Sequence, residues 1–307
     1  FKNTTITSTW KNTNYDGTIV IGGGDIGLPL WGDTKFENIT FSGKNQGSSY
    51  YIIYCQYNNL EMGKGIKMTE FNASPSYGTV DGANTTNLQI FGGLLSDGRF
   101  VPLNNAENIE KMEKSMPHGK EGFSMNFKSG YYSVICAGGR QKYTISQEGK
   151  QQNGVMGTPN QPVKCTITMD IDRDFNDKNK ATYSDYDAGI ILAGNHEGAM
   201  YADVDIIIRS GHVGRLVNGS LGNKNDFSFV YPVGSNNWIY APNNSYMGRA
   251  NILLDPEKSE NNKNEEKNKR IIVTELYGGG TGRGFTNSQI INNPFYGLST
   301  VTINGGT

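Results

Sequence analysis

Charge of one sign is what this chain most lacks: 28 Lys and Arg stand against 29 Asp and Glu, a net charge of −1 over 307 residues. So balanced a chain presents no basic footprint to nucleic acid or to an anionic membrane, which excludes both as main partners. No apolar run approaches the roughly 18 residues that a membrane-crossing helix needs. The three cysteines, Cys55, Cys136 and Cys165, fit neither a zinc site nor a disulfide framework. Each lies in an apolar or alternating run and reads as a small buried side chain. Histidine is as scarce: His118, His196 and His212 form no His-Glu-x-x-His frame, and no Ser or Cys stands in a nucleophile elbow. Gly22 to Gly24 lacks the Lys-Ser/Thr and the following helix of a phosphate loop.

What is present is glycine, 40 residues, with 11% aromatics and only 36% apolar residues, a composition that fits short strands joined by Gly- and Asn-rich turns and argues against a helical protein. One pattern recurs. Ile206 to Ile208 ends at Ser210-Gly211, and Leu216-Val217 then ends at Gly219. Met125 to Phe127 leads likewise to Ser129-Gly130, then Tyr132 to Cys136, then Gly138. A third copy runs from Ile19 to Ile21 through Gly24, Ile26-Gly27 and Leu30 to Gly32. Strand, glycine bend, strand is one corner of a coil, and such a unit buries its apolar face only by stacking on copies of itself. The spacing between copies leaves room for degenerate coils at 36–43, 51–57, 87–93, 271–280 and 301–306. The expected fold is all-β, a right-handed parallel β-helix with long loop excursions and Ile21, Ile26, Ile135, Ile206, Ile208 and Val213 in one core.

The chain reads as a single β-helix domain over 1–307, with 1–16 as a lead-in segment or cap, 58–83 as a long excursion and 224–270 as loop excursions. Within the last, 256–270 is read as a mobile loop, because its charges nearly cancel and no apolar residue anchors it. A short helix is expected near 105–116, from Ile109, Met112 and Met116 at helical spacing before Pro117. Residues 141–161 read as loop or hairpin and 163–169 as an alternating strand. Because 301–307 resembles the first half of a repeat, the polypeptide is expected to continue.

Two groups of residues suggest chemistry. Trp238, Tyr240 and Tyr246, in a Gly/Asn/Pro-rich stretch, could stack on a sugar ring; the alternative is that they clamp their loop to the coil. Asp170, Asp172 and Asp174 have the spacing of the first three ligands of a helix-loop-helix calcium site, but Phe175 stands where its glycine is required and Ala181 where its bidentate Glu belongs. A solvated acidic turn is the plainer reading, calcium in another geometry the alternative, and no other cofactor is implied. Arg140, Arg215 and Arg283 follow repeat glycines and should pair with nearby carboxylates.

Residues 210–222 (Ser-Gly-His-Val-Gly-Arg-Leu-Val-Asn-Gly-Ser-Leu-Gly) and 276–283 (Leu-Tyr-Gly-Gly-Gly-Thr-Gly-Arg) resemble the repeats of large adhesin-like, surface-exposed right-handed β-helix proteins of Bacteroidota. The resemblance implies a pectin-lyase-like coil at the extracellular or outer-membrane surface and no particular activity. Polygalacturonase-type members of that superfold carry Asn-Thr-Asp, Asp-Asp and Gly-His-Gly strings, none of which occurs here. The expected function is a non-catalytic adhesin-like or structural module that binds glycan or a host or cell-surface protein through its loops. The alternatives are a polysaccharide lyase or glycoside hydrolase, with two or more of Asp170, Asp172, Asp174, Asp185 and Asp187 in a groove beside an Arg or Lys, and an accessory subunit of an outer-membrane uptake or secretion assembly.

Overall fold

The structure is a computed structural model that describes residues 4–7, 17–21, 27–43, 51–71, 88–93, 121–139, 144–147, 150–153, 155–156, 162–180, 185–196, 199–220, 227–230, 239–242, 246–261, 270–279 and 295–305. It is a parallel β-helix. The first rungs have three sides: β1 (Thr4–Thr7), β2 (Thr18–Val20) and β3 (Leu28–Pro29), then β4 (Thr34–Glu37), β5 (Thr40–Ser42) and β6 (Tyr51–Tyr54), then β7 (Leu60–Met62), β8 (Lys67–Thr69) and β9 (Leu88–Phe91). In the later rungs no middle strand lies among the described residues. β10 (Phe123–Phe127) turns at Gly130 straight into β11 (Tyr132–Cys136). After the hairpin β12 (Thr144–Gln147) and β13 (Lys150–Asn153) and the short β14 (Val155–Met156), β15 (Val163–Asp170) leads through helix α1 (Arg173–Lys178) to β16 (Ala188–Leu192). β17 (Ala199–Val217) crosses both sides as one strand. β18 (Phe227–Val230) and β19 (Ile239–Pro242) join the hairpin in a separate four-stranded sheet, and β20 (Tyr246–Leu254), β21 (Ile271–Tyr277) and β22 (Phe295–Ile303) complete the rungs.

β1, β4, β7, β10, β15, the first half of β17, β20 and β22 make the long face; β3, β6, β9, β11, β16, the second half of β17 and β21 make the opposite, closed face. β17 belongs to both, so one parallel sheet runs up the long face and returns down the closed one. Register puts like residues in columns. Phe36, Met62, Phe127, Met169, Ile208 and Leu254 stack inward on the long face, each at most 4% exposed. Ile53, Ile90, Ile135, Ile191 and Leu216 stack inward on the closed one, all fully buried. Each such side chain contributes about 1.5–3 kcal/mol of burial.

The two faces differ in sequence for a physical reason. β10 and β15 alternate buried and half-buried positions, as a sheet with one wet side does, whereas β6, β9, β11 and β16 are buried throughout. A second apolar cluster of Ile52, Tyr54, Phe91, Val134, Cys136, Ile190, Leu192 and Val217 lies on the outer side of the closed face. The outer surface of the long face is therefore where polar side chains collect.

Several expectations change. Ile21, Ile135, Ile206, Ile208 and Val213 share the main core as expected; Ile26 and the helix expected at 105–116 lie outside the described residues. The copies at 125–138 and 206–219 align as read, with Phe127 and Ile208 in one column and Tyr132 and Val213 in another. The third does not: β2 lies in the middle sheet with β5 and β8, on a different face from Met125–Phe127. Thr4–Thr7, placed in the lead-in segment, is a rung strand on β4; β7 and β8 replace part of the excursion at 58–83; and Tyr246–Leu254, placed among the loop excursions, is a long-face strand between β17 and β22. Of these, Thr4–Thr7, β7 and β8 have three or four residues each and carry too few alternations to be recognised singly. Residues 144–153 form the expected hairpin.

β17 turns the corner at Gly211, whose φ of +133° suits glycine and where an added Cβ would stand 2.6 Å from the Met169 methyl. At Gly248, φ +117°, an added Cβ would meet the backbone carbonyl of Ala202 one rung away. The Met169 methyl can swing aside and a ladder carbonyl cannot. Gly211→Ala should cost about 1–3 kcal/mol from backbone conformation alone, and Gly248→Ala should cost more. Urea titrations of both variants measure the order, and a smaller loss at Gly248 would contradict the rung geometry.

Candidate functional site

The outer side of the long face is a set of polar columns. Thr5, Lys35, Glu61, Asn126 and Thr168 occupy one, continued by Ile207 and Leu253. Ser124, Thr166, Asp205, Asn251 and Thr300 occupy the next. These residues alternate in sequence with the inward column, so pleating alone sends them outward.

Over the first rungs this surface sinks into an open cleft of about 340 Å³, lined by Thr5, Asp33, Lys35, Asn59, Glu61, Ser124 and Asn126 among others. A ladder of side chains makes one wall. The Asp33 carboxylate accepts from the Asn59 amide N–H (2.8 Å) and from its Nδ2 (3.1 Å), and Asn59 Oδ1 accepts from Ser124 N (2.7 Å) and Oγ (3.1 Å). Lys35 and Glu61 stand on the other, within a row of charges that continues beyond the cleft. Lys35 Nζ lies 3.1 Å from Glu37 and 3.3 Å from Glu61, and Lys128 Nζ lies 3.8 Å from Glu61 and 3.1 Å from Glu260. The hydrogen bond to Glu37 holds the Lys35 ammonium above its usual range, and Lys128 holds the Glu260 carboxyl below its own.

Trp31 stands in the bend between β3 and β4, two residues before Asp33, and is 65% exposed. An indole left this far in water is unusual for a side chain of its size. Further along the same face Arg249 reaches Asp203 (2.8 Å) and, with two nitrogens, Asp205 (2.8 and 3.1 Å), while Asn251 Nδ2 donates to Asp205 (2.8 Å). The Arg249 bond keeps the Asp205 carboxyl below the ordinary carboxylate range.

The residues singled out in the sequence are dispersed. Trp238 lies outside the described residues; Tyr240 is in β19 opposite Phe229, and Tyr246 in β20 opposite Met200 and Phe295. Asp170, Asp172 and Asp174 are given separate tasks. Asp170, 3% exposed, accepts from Ser259 Oγ (2.5 Å) and the Glu260 N–H (2.7 Å), fastening 259–261 across the rungs where a mobile loop was expected. Asp172 caps α1 by accepting from the Phe175 N–H (3.1 Å), and Asp174 lies in the first helical turn, so a helix replaces the expected acidic turn. Among the described residues no three His, Cys, Asp or Glu side chains are placed to hold a metal ion.

Asp187 sits deep in the α1 corner, 5% exposed. Its carboxylate accepts from Arg173 Nη1 (3.0 Å), Asn176 Nδ2 (2.8 Å) and the His212 N–H (2.8 Å). Asn176 in turn bonds both backbone groups of Gly130, and the Tyr131 hydroxyl donates to the Asn176 carbonyl. This network fills the corner that the middle sheet occupies in the first rungs. His196 is buried with its ring against Phe91, and His212 packs on Tyr186. Arg215 pairs with Glu275 at 2.6 Å as expected; Arg140, Arg283 and His118 lie outside the described residues. The cleft residues gave no sequence motif, because Asp33, Asn59 and Ser124 meet only through rung register.

No protein-family model matches the chain, and neither does any curated protein or solved structure with which it was compared.

Asp187→Ala leaves the Arg173 guanidinium, the Asn176 amide and the His212 N–H without their acceptor, and should lower stability by about 3 kcal/mol in denaturant titration. An unchanged midpoint would show the corner network to be dispensable. Burial lowers the His212 imidazole below its ordinary value of 6.5. The fold thus favours neutral His212, whose contribution is complete above about pH 6.5 and is lost as the pH falls toward the lowered value. Asp187, raised by burial, runs the other way: its contribution is present below the ordinary carboxylate value and is lost as the pH rises through the raised one. His212→Phe should therefore flatten the melting-temperature curve just below about pH 6.5, and a curve parallel to wild type would refute the assignment.

Proposed function

We propose that this β-helix is a non-catalytic, adhesin-like module of an extracellular or outer-membrane surface that binds glycan on the outer side of its long face. The observation that carries the reading is a cleft whose walls offer hydroxyl, amide and carboxylate groups at fixed ladder spacing, with the exposed Trp31 two residues along the chain from Asp33 in its wall. Sugar rings present apolar faces that stack on indole and hydroxyl edges that bond such groups. A volume near 340 Å³ lies within the range of small-ligand sites. The rigid coil holds these groups in place, so binding costs little ordering of the protein. The resemblance of 210–222 and 276–283 to surface adhesin-like repeats supports the location.

A glycan array with wild type, Trp31→Ala and the pair Trp238→Ala/Tyr240→Ala tests the site. Trp31→Ala should weaken binding about ten-fold or more, the loss expected for removing an aromatic anchor, with little change in melting temperature. Full retention by Trp31→Ala together with loss in the Trp238/Tyr240 variant would move the site to the loop aromatics. Release of reducing ends or unsaturated products from an array hit would replace the binding module with an enzyme.

A further inference from the structure

We propose that the cleft selects uncharged sugar chains and rejects uronates and sulfated glycans, an inference that rests on the glycan reading above. The charged groups lining the cleft are Asp33, Lys35 and Glu61, two carboxylates to one ammonium. That ammonium is already spoken for. Lys35 is held between Glu37 at 3.1 Å and Glu61 at 3.3 Å, and the next cation along the face, Lys128, is held between Glu61 at 3.8 Å and Glu260 at 3.1 Å. Read along the face, the row is Glu37, Lys35, Glu61, Lys128, Glu260, with a carboxylate at each end and one between the cations.

An incoming carboxylate or sulfate has two routes, both unfavourable. It can displace Glu61 or Glu37 from Lys35, which leaves an anion of the protein without its partner beside the new one, or it can stay on the Asp33 side, where it meets a carboxylate that accepts from Asn59 through both oxygens. Like charges a few ångströms apart in a partly desolvated cleft repel more strongly than in bulk water. Uncharged hydroxyls meet no such opposition. They can donate to the carboxylates of Asp33 and Glu61 and exchange hydrogen bonds with the side chains of Ser124, Asn126 and Thr5, all in the cleft wall. Further along the face Arg249 is likewise matched by Asp203 and Asp205. The one lysine that lines the cleft is therefore paired, and a polyanion entering the cleft meets no cation held in reserve for it.

Glu61 is the pivot, since among the described residues it alone pairs with both lysines. Titrate wild type and Glu61→Gln with a neutral galacto-oligosaccharide and with an oligogalacturonate of equal length, at low and high salt. Wild type should prefer the neutral chain by about ten-fold or more at low ionic strength, with the gap narrowing as salt screens the repulsion. Glu61→Gln should shift the ratio toward the uronate by at least about three-fold, since one of two opposing carboxylates is gone and both lysines lose a partner. Uronate binding as tight as or tighter than the neutral chain in wild type, or an unchanged ratio in Glu61→Gln, overturns the charge selection and leaves the glycan site standing. Failure of wild type to bind either chain overturns the glycan reading and this inference together.

Discussion

Everything in this molecule hangs on the parallel hydrogen-bond ladder between successive rungs. Adjacent strands in such a ladder lie about 4.8 Å apart, so each side chain's nearest neighbours are those at the same register one rung above and below. Ile206 touches Ile167 and Ile252 whatever the chain does between them. An apolar residue in an inward column is thus buried by its equivalents, and a charged residue in an outward column finds or repels its neighbours the same way. The ladder also forbids a Cβ at Gly248, where the backbone of the next rung approaches too closely.

Because only register must be kept, the segments between rung strands are free to change. The first rungs turn through a middle strand, whereas β10 turns directly into β11 and β17 runs through its corner as one strand. In the α1 rung the corner is filled by a six-residue helix and a buried polar network centred on Asp187 and Asn176. A strap at 259–261, fastened to Asp170 and reaching Lys128 through Glu260, ties rungs that are far apart in sequence. Such buried polar groups are costly unless every partner is present, and here the partners come from different rungs, so a polar network reports correct stacking as sensitively as an apolar column does.

The two principal faces divide the labour. The closed face is buried on both sides from β6 to β16 and mostly apolar, with Gln89 and the Arg215–Glu275 pair in its outer column, and its main contribution is packing. The long face is apolar inside and polar outside, so chemistry available to a ligand collects there, in rows whose charges alternate because each faces its counterpart one rung away. Trp31 escapes both kinds of burial by lying in a bend between faces.

Read alone, the sequence determined that the chain is a stacked β coil, that glycines such as Gly130 and Gly211 mark its corners, and that Cys55, Cys136 and Cys165 are buried. These follow from local periodicity, from glycine's access to positive φ and from residue composition, all of which survive without knowledge of neighbours. It also carried the difference between the faces, alternating at 163–169 and continuous at 51–54, without saying that these were different faces. Only the tertiary structure decided which residues share a rung. That decision turned 58–71 and 246–254 from excursions into strands, moved Ile19–Ile21 to the middle sheet, and separated Asp170, Asp172 and Asp174 into a strap anchor, a helix cap and a helical turn. It also assembled the cleft, since Asp33, Asn59 and Ser124 become neighbours only when variable connections bring their strands into register. Register between rungs is set by the whole stack burying its columns at once, and no window along a single chain contains that sum.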